Sequence, residues 1–94
     1  MKEVLCGIYC IENAVNHKKY IGLSRDIHRR WLEHRAALNR GDHVNKYLQS
    51  AWNNYGEDAF RFNIVELCSP EELSERECYY IQQYLQNEHI DRRT

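Results

Sequence analysis

The sequence predicts an α+β fold: a small three-stranded antiparallel sheet flanked by three helices, in the order ββααβα. Three observations carry this. Two short apolar and aromatic stretches near the N-terminus are separated by a polar, asparagine-bearing segment. Two stripes at helical spacing follow, each closing on a glycine. An alternating strand then leads into a helix whose start is written as a capping box. At 94 residues the chain holds one domain.

Leu5 to Ile11 alternates and reads as the first strand. Glu12 to His17 reads as a turn, and Lys18 to Leu23 as the second strand of a hairpin. A register with Tyr9 opposite Tyr20 sets Gly7 opposite Gly22 and projects both tyrosines from one face. Ser24 or Asp26 caps the first helix, whose stripe is Ile27, Trp31, His34 and Leu38, and Gly41 ends it. Leu48, Ala51, Trp52 and Tyr55 mark a second helix that stops at Gly56. Phe60, Phe62 and Ile64 alternate with Arg61 and Asn63 in a third strand running to about Cys68. Ser69-Pro70-Glu71-Glu72 is the capping box, with proline at the first helical position. The helix it opens carries Leu73, Glu77, Tyr80, Ile81 and Tyr84 on one stripe and ends near Gln86. The folded core is expected over residues 4–86, with a polar tail at 87–94.

Hydrophobic residues make up 43% and charged residues 29%, a balance of soluble globular chains. No apolar run approaches the roughly 20 residues a bilayer span needs, and the N-terminus lacks a signal peptide's apolar region. An intracellular, cytoplasmic protein with no membrane partner is therefore expected. The cysteines Cys6, Cys10, Cys68 and Cys78 form no CxxC pair, which removes the zinc-ribbon signal. Cys6 and Cys10 share a strand face with Ile8 and read as reduced, half-buried thiols. Net charge is −1. Between His17 and Lys46, however, eight basic residues face three acidic ones. That segregation suits phosphate contact; an ordinary solvated helix face is the plain alternative.

Three groups carry chemistry. Glu77 lies in an apolar stripe, between Leu73 and Ile81, where an unpaired carboxylate costs several kcal/mol. It faces a cation, a donor cluster or a wet cleft; pairing with an arginine for stability alone is the competing reading. Arg30 and His34 stack one turn apart on the first helix. A guanidinium grips phosphate oxygens in a planar fork, and a histidine moves protons near neutral pH; a solvated helix edge explains the pair as simply. Tyr9 and Tyr20 form a cross-strand pair that is either packing or a source of phenols for proton handling.

Gly7-Ile8-Tyr9 and Tyr20-Ile21-Gly22, ten residues apart, resemble the paired tripeptides that name the GIY-YIG nucleases. Arg30 stands where that family places its arginine. His34 and His43, the latter in Gly41-Asp42-His43, resemble histidines of the phage homing endonucleases, and Glu77 stands where the family has its metal-binding glutamate. The resemblance runs from about Gly7 to Tyr84 and implies the GIY-YIG nuclease fold in a bacterial or phage setting. It further implies hydrolysis of double-stranded DNA with a single Mg²⁺ or Mn²⁺ on Glu77, which would make Glu77 both metal ligand and catalytic residue. In that scheme Arg30 grips the phosphate, Tyr9 acts as base or water-positioning group, Tyr20 supports it, and His34 relays a proton. Lys18, Lys19, Arg25, Arg29, His43 and Lys46 are the expected DNA contacts. The family commonly places an asparagine after its last helix; the nearest here is Asn87, outside the usual Tyr-Asn context. Homing enzymes continue into a DNA-targeting domain, so such a domain is expected apart from this chain. A catalytically silent DNA-binding or protein-interaction module on the same fold is the alternative.

Overall fold

The computed structural model describes residues 4–85. The expected polar tail and Asn87 lie outside the described residues. The elements follow the predicted order: β1 (Gly7–Asn13), β2 (Lys19–Ser24), α1 (Ile27–Arg40), α2 (Lys46–Tyr55), β3 (Phe60–Leu67) and α3 (Leu73–Leu85). Short 3₁₀ turns occupy Glu57–Ala59 and Pro70–Glu72. The sheet is antiparallel with order β2-β1-β3, so β1 is the central strand. Among the described residues, no helix is long and apolar enough to cross a membrane.

Strand alternation divides the core into two layers. Tyr9, Ile11 and Tyr20 turn toward α1 and α2 and pack with Ile27, Leu38, Leu48, Trp52 and Phe60. Ile8, Cys10 and Ile21 turn the other way, against Leu73, Tyr80, Ile81 and Tyr84 of α3. The cysteines are free thiols, and burial pushes Cys10 up to about 12, a packing group rather than a nucleophile.

The helix ends follow local chemistry. Asp26 caps α1 by accepting from the Arg29 N–H, and Gly41 closes it in the left-handed region at φ 87°. Asn45 caps α2 by accepting from Tyr47 and Leu48, and Gly56 ends it. At Ser69, both the backbone N–H and the hydroxyl donate to Glu72 Oε1, although the chain makes a 3₁₀ turn before α3 proper begins at Leu73.

Two details differ from the sequence reading. The hairpin pairs Tyr9 with Gly22 and Tyr20 with Ile11, not Tyr9 with Tyr20. The turn sets this. β1 runs on to Asn13, whose N–H donates to the Lys18 carbonyl, and His17 reverses the chain at φ 65° while donating to the Asn13 carbonyl. A slip of two residues keeps every side chain on its face, so both tyrosines still project together. In β3, Ile8 pairs with Glu66 and Tyr9 with Ile64, which leaves Val65 as a bulge. Ile64 is consequently 39% exposed, while Val65 turns inward against the α3 layer.

Candidate active site

Tyr9 sits on the central strand, fully buried, with its ring crossing the backbone of Gly22 on β2. A Cβ at Gly22 would collide with Tyr9 Cζ and the hydroxyl, and one at Gly7 would strike the Glu66 carbonyl beside the bulge. The space that each glycine leaves is filled from within, by the Tyr9 ring at Gly22 and by β3 at Gly7.

His34 comes from the inner stripe of α1 and His43 from the loop after Gly41. Tyr9 Oη lies 2.6 Å from His34 Nε2, and His34 Nδ1 lies 2.7 Å from His43 Nε2. The Asn45 N–H donates to His43 Nδ1 at 3.0 Å, closing the far end of the chain. Burial, then Arg30, then His43 push His34 down to about 3, and burial with Arg30 lowers His43 as well. Both rings are therefore neutral at pH 7. His43 is 3% exposed with both ring nitrogens engaged. Its expected role as a DNA contact is corrected accordingly: it is an internal member of the Tyr9 chain.

Gln49 is the polar residue that sequence reasoning missed. It is buried on α2, where Oε1 accepts from the His43 N–H at 3.0 Å and Nε2 donates to the Leu38 carbonyl at 2.9 Å. Its position, one residue after Leu48 and three before Trp52, was the available signal, since both neighbours face inward.

Arg30 is half-buried and donates to Glu33 Oε1 at 3.2 Å. With His34, Arg40, His43 and Val44 it lines a groove of about 240 Å³. A larger hollow of about 860 Å³ lies at the start of α1, against Leu5, Trp31 and Leu32. It is mostly apolar and includes none of Tyr9, His34 or Glu77, so the smaller groove is the chemically furnished one.

Tyr20 is buried in the same core layer as Tyr9. Glu77 is 2% exposed and comes from α3, the opposite layer. The structure thus gathers Tyr9, Arg30, His34 and His43 on one side of the sheet, while Glu77 stands on α3 on the other. Lys19 pairs with Glu12 at 3.5 Å and lies over the Tyr84 ring at 5.5 Å. Strand alternation turns it to the α3 side of the sheet. Lys18, Arg25, Arg29 and Lys46 are exposed. Arg29 and Arg30 share Glu33 and Arg40 meets Asp42, both already counted among the segment's three acids, while Arg35 meets Glu57 from outside it, so only that last pair lowers the local positive excess.

Among the described residues, no group of three or more His, Cys, Asp or Glu is assembled for a metal ion. A closed zinc site needs three or four protein ligands. A single buried carboxylate fits Mg²⁺ or Mn²⁺, hard ions that are held by one or two carboxylates and keep several waters.

Comparison with known proteins gives the same family from sequence and from shape. Residues 5–90 match the family model described as the GIY-YIG catalytic domain. The chain is 35% identical over 79 residues to Intron-associated endonuclease 1 of Enterobacteria phage T4, covering 82% of this chain and 32% of that protein. It is 34% identical over 85 residues to Probable intron-encoded endonuclease 1 of Neurospora crassa, covering 83% and 27%. The chain thus spans about a third or less of the length of these curated relatives. The solved catalytic domain of homing endonuclease I-TevI superposes with a TM-score of 0.83 at 29% identity, covering 93% of this chain and 96% of that one. A glutamate-to-alanine variant of the same domain gives 0.78 at 32% identity, covering 84% and 82%. The family match extends over nearly the whole chain and the folds coincide, and the chain belongs to the GIY-YIG catalytic domain family.

Proposed function

We propose that this domain is the catalytic part of a metal-dependent, homing-type DNA endonuclease that hydrolyses phosphodiester bonds with one divalent ion on Glu77. The observation that carries the reading is the buried Tyr9–His34–His43 chain beside Arg30, in a domain of this family. Glu77 is the residue that would hold the ion. When bound, Mg²⁺ or Mn²⁺ supplies positive charge to the scissile phosphate and the leaving oxygen. Arg30 grips a non-bridging oxygen with its planar fork. Tyr9 takes or orients the proton of the attacking water, and Tyr20 supports it from the same layer. The water oxygen bonds to phosphorus as the bond to the leaving oxygen breaks; the water's proton passes to Tyr9 acting as phenolate, and the leaving oxygen takes a proton from solvent.

The substrate in this reading is double-stranded DNA, met by the exposed Lys18, Arg25, Arg29 and Lys46. Because the relatives are much longer than the matched domain, target selection is assigned to a separate DNA-targeting region. The test is nicking of supercoiled plasmid in Mg²⁺, with and without EDTA. Cleavage should require the ion, and Glu77→Gln should abolish it while the fold persists, since the amide keeps the shape but not the charge. Wild-type cleavage by that variant, or cleavage indifferent to EDTA, would sink the metal role. Arg30→Lys should also lose most activity, because a point charge does not replace the fork; full activity would reduce Arg30 to a general positive charge.

A further inference from the structure

Donor and acceptor accounting along the buried chain settles more than orientation. The backbone N–H of Asn45 can only donate, so His43 Nδ1 is an unprotonated acceptor. A neutral imidazole carries one proton, which must then sit on His43 Nε2. That N–H donates across 2.7 Å to His34 Nδ1, which must in turn be an acceptor. The proton of His34 is therefore on Nε2 and donates across 2.6 Å to the Tyr9 oxygen. The opposite order would place two N–H groups, from Asn45 and from His43 Nδ1, against one another. A charged His34 would likewise set its Nδ1 proton against the His43 Nε2 proton. The buried location of both rings agrees with neutrality.

We infer that the Gly41–Asn45 loop, pinned by Gln49, is a positioning device that locks both histidines as one-way donors toward Tyr9. Gln49 holds the loop by accepting the His43 N–H and ties it to the end of α1 through the Leu38 carbonyl. The consequence concerns the direction of proton movement. His34 has no lone pair facing Tyr9, so it does not take the phenolic proton in the resting site. The Tyr9 hydroxyl proton points away from His34, and a hydrogen bond donated to the phenolic oxygen favours its ionised form. His34 thus tunes Tyr9 as a donor, in place of the proton relay that the family resemblance implied. Asn45 and Gln49 touch no substrate in this scheme and act only through the rings.

This inference rests on the nuclease reading for its effect on rate, but its core is readable without cleavage. Long-range ¹H–¹⁵N spectra of the histidine-labelled protein report the tautomer of each ring. In the wild type His34 and His43 should both be neutral with the proton on Nε2. A proton on His34 Nδ1 would overturn the inference. Asn45→Ala and Asn45→Pro both remove the α2 cap, but only the proline removes the backbone N–H; the native φ of −85° is close to proline's own. The alanine variant should keep the wild-type tautomers. The proline variant should mix them and cut at least about tenfold slower than the alanine variant in single turnover. Equal tautomers and rates in the two would sink the role of the amide. Gln49→Met, which keeps the length and removes the polar atoms, should shift the His43 signals in the same sense; unchanged ring signals would show Gln49 to be packing alone. A protein with these tautomers that never nicks DNA would defeat the nuclease reading and leave the ring assignment standing.

Discussion

Tyr9, His34 and His43 on the α1 face of the sheet, and Glu66, Arg76 and Tyr80 on the α3 face, are both hydrogen-bonded polar trios, yet they settle in opposite charge states. On the first face all three groups are nearly fully buried and both histidines are neutral. On the second, Arg76 makes a forked pair with Glu66 at 2.8 to 3.1 Å and Tyr80 donates to the same carboxylate at 2.7 Å. That pair stays about 30% exposed. Arg76 and then Tyr80 hold the Glu66 carboxyl below its ordinary value, while Glu66 raises Tyr80. Burial removes charge where no counter-ion is supplied, and a forked guanidinium keeps it at the solvent margin. The difference separates tasks. A neutral chain carries direction, because each ring has one donor and one acceptor. A charged clamp only fixes the end of β3 against α3.

The comparison breaks most visibly at Tyr9. Tyr9→Phe keeps a ring of nearly the same volume over Gly22, so the fold should survive. It removes the oxygen to which His34 donates and the group assigned to the attacking water. General-base catalysis is typically worth about 10² to 10⁴ in rate, so cleavage should slow at least about a hundredfold. Single-turnover rates beside circular dichroism would decide it. A folded variant cutting within a few-fold of wild type would remove Tyr9 from the chemistry.

Acid should read the two faces in sequence. An unfolded histidine titrates near 6.5, whereas folded His34 refuses a proton until about 3. Between those values the unfolded chain binds more protons, so stability falls as pH drops. For His34 alone the slope approaches about 1.4 kcal/mol per pH unit, and His43 acts in the same direction. Glu66 has a folded value below its ordinary 4.5. Its contribution is present above that pH and is lost only as pH falls further. Urea melts at pH 7, 6 and 5 therefore probe the histidine face before the clamp responds. His34→Gln should flatten this upper limb. A level profile from pH 7 to 5 in the wild type would mean that the folded rings accept protons.

The sequence made the elements legible because each rests on local chemistry: the caps at Asp26 and Ser69, the stops at Gly41 and Gly56, and the inner stripe of α1. The family signal made Tyr9, Arg30, His34 and Glu77 legible as candidates. What the sequence did not disclose depends on contacts distant along the chain. The hairpin register was set by the length of the Asn13–Lys18 turn, and the exposure of Ile64 by a bulge at Val65. The pattern marks Gln49 only as lying near an inward face, between Leu48 and Trp52; its role exists only once the His43 loop folds over α2. The segregated charge was visible, but its partial neutralisation by Glu57 was not, since Arg35 and Glu57 meet only in the folded chain.

The smallest expected effect makes the sharpest contrast, since it uses the same substitution on the other face. Tyr80→Phe removes one donor from Glu66 and keeps the ring beside Tyr84, 6.4 Å away between centroids. Arg76 still satisfies the carboxylate through two nitrogens, and water replaces the lost hydroxyl at this exposed margin. The melting temperature should therefore fall by no more than a few degrees, and the single-turnover rate should match wild type. The same missing oxygen thus costs rate at position 9 and a little stability at position 80. Tyr80 lies one turn after Glu77 on α3, which makes the rate measurement discriminating. If Tyr80→Phe slowed cleavage as much as Tyr9→Phe, the clamp would be holding Glu77 in place for catalysis, and the division between a directing face and a fixing face would fail.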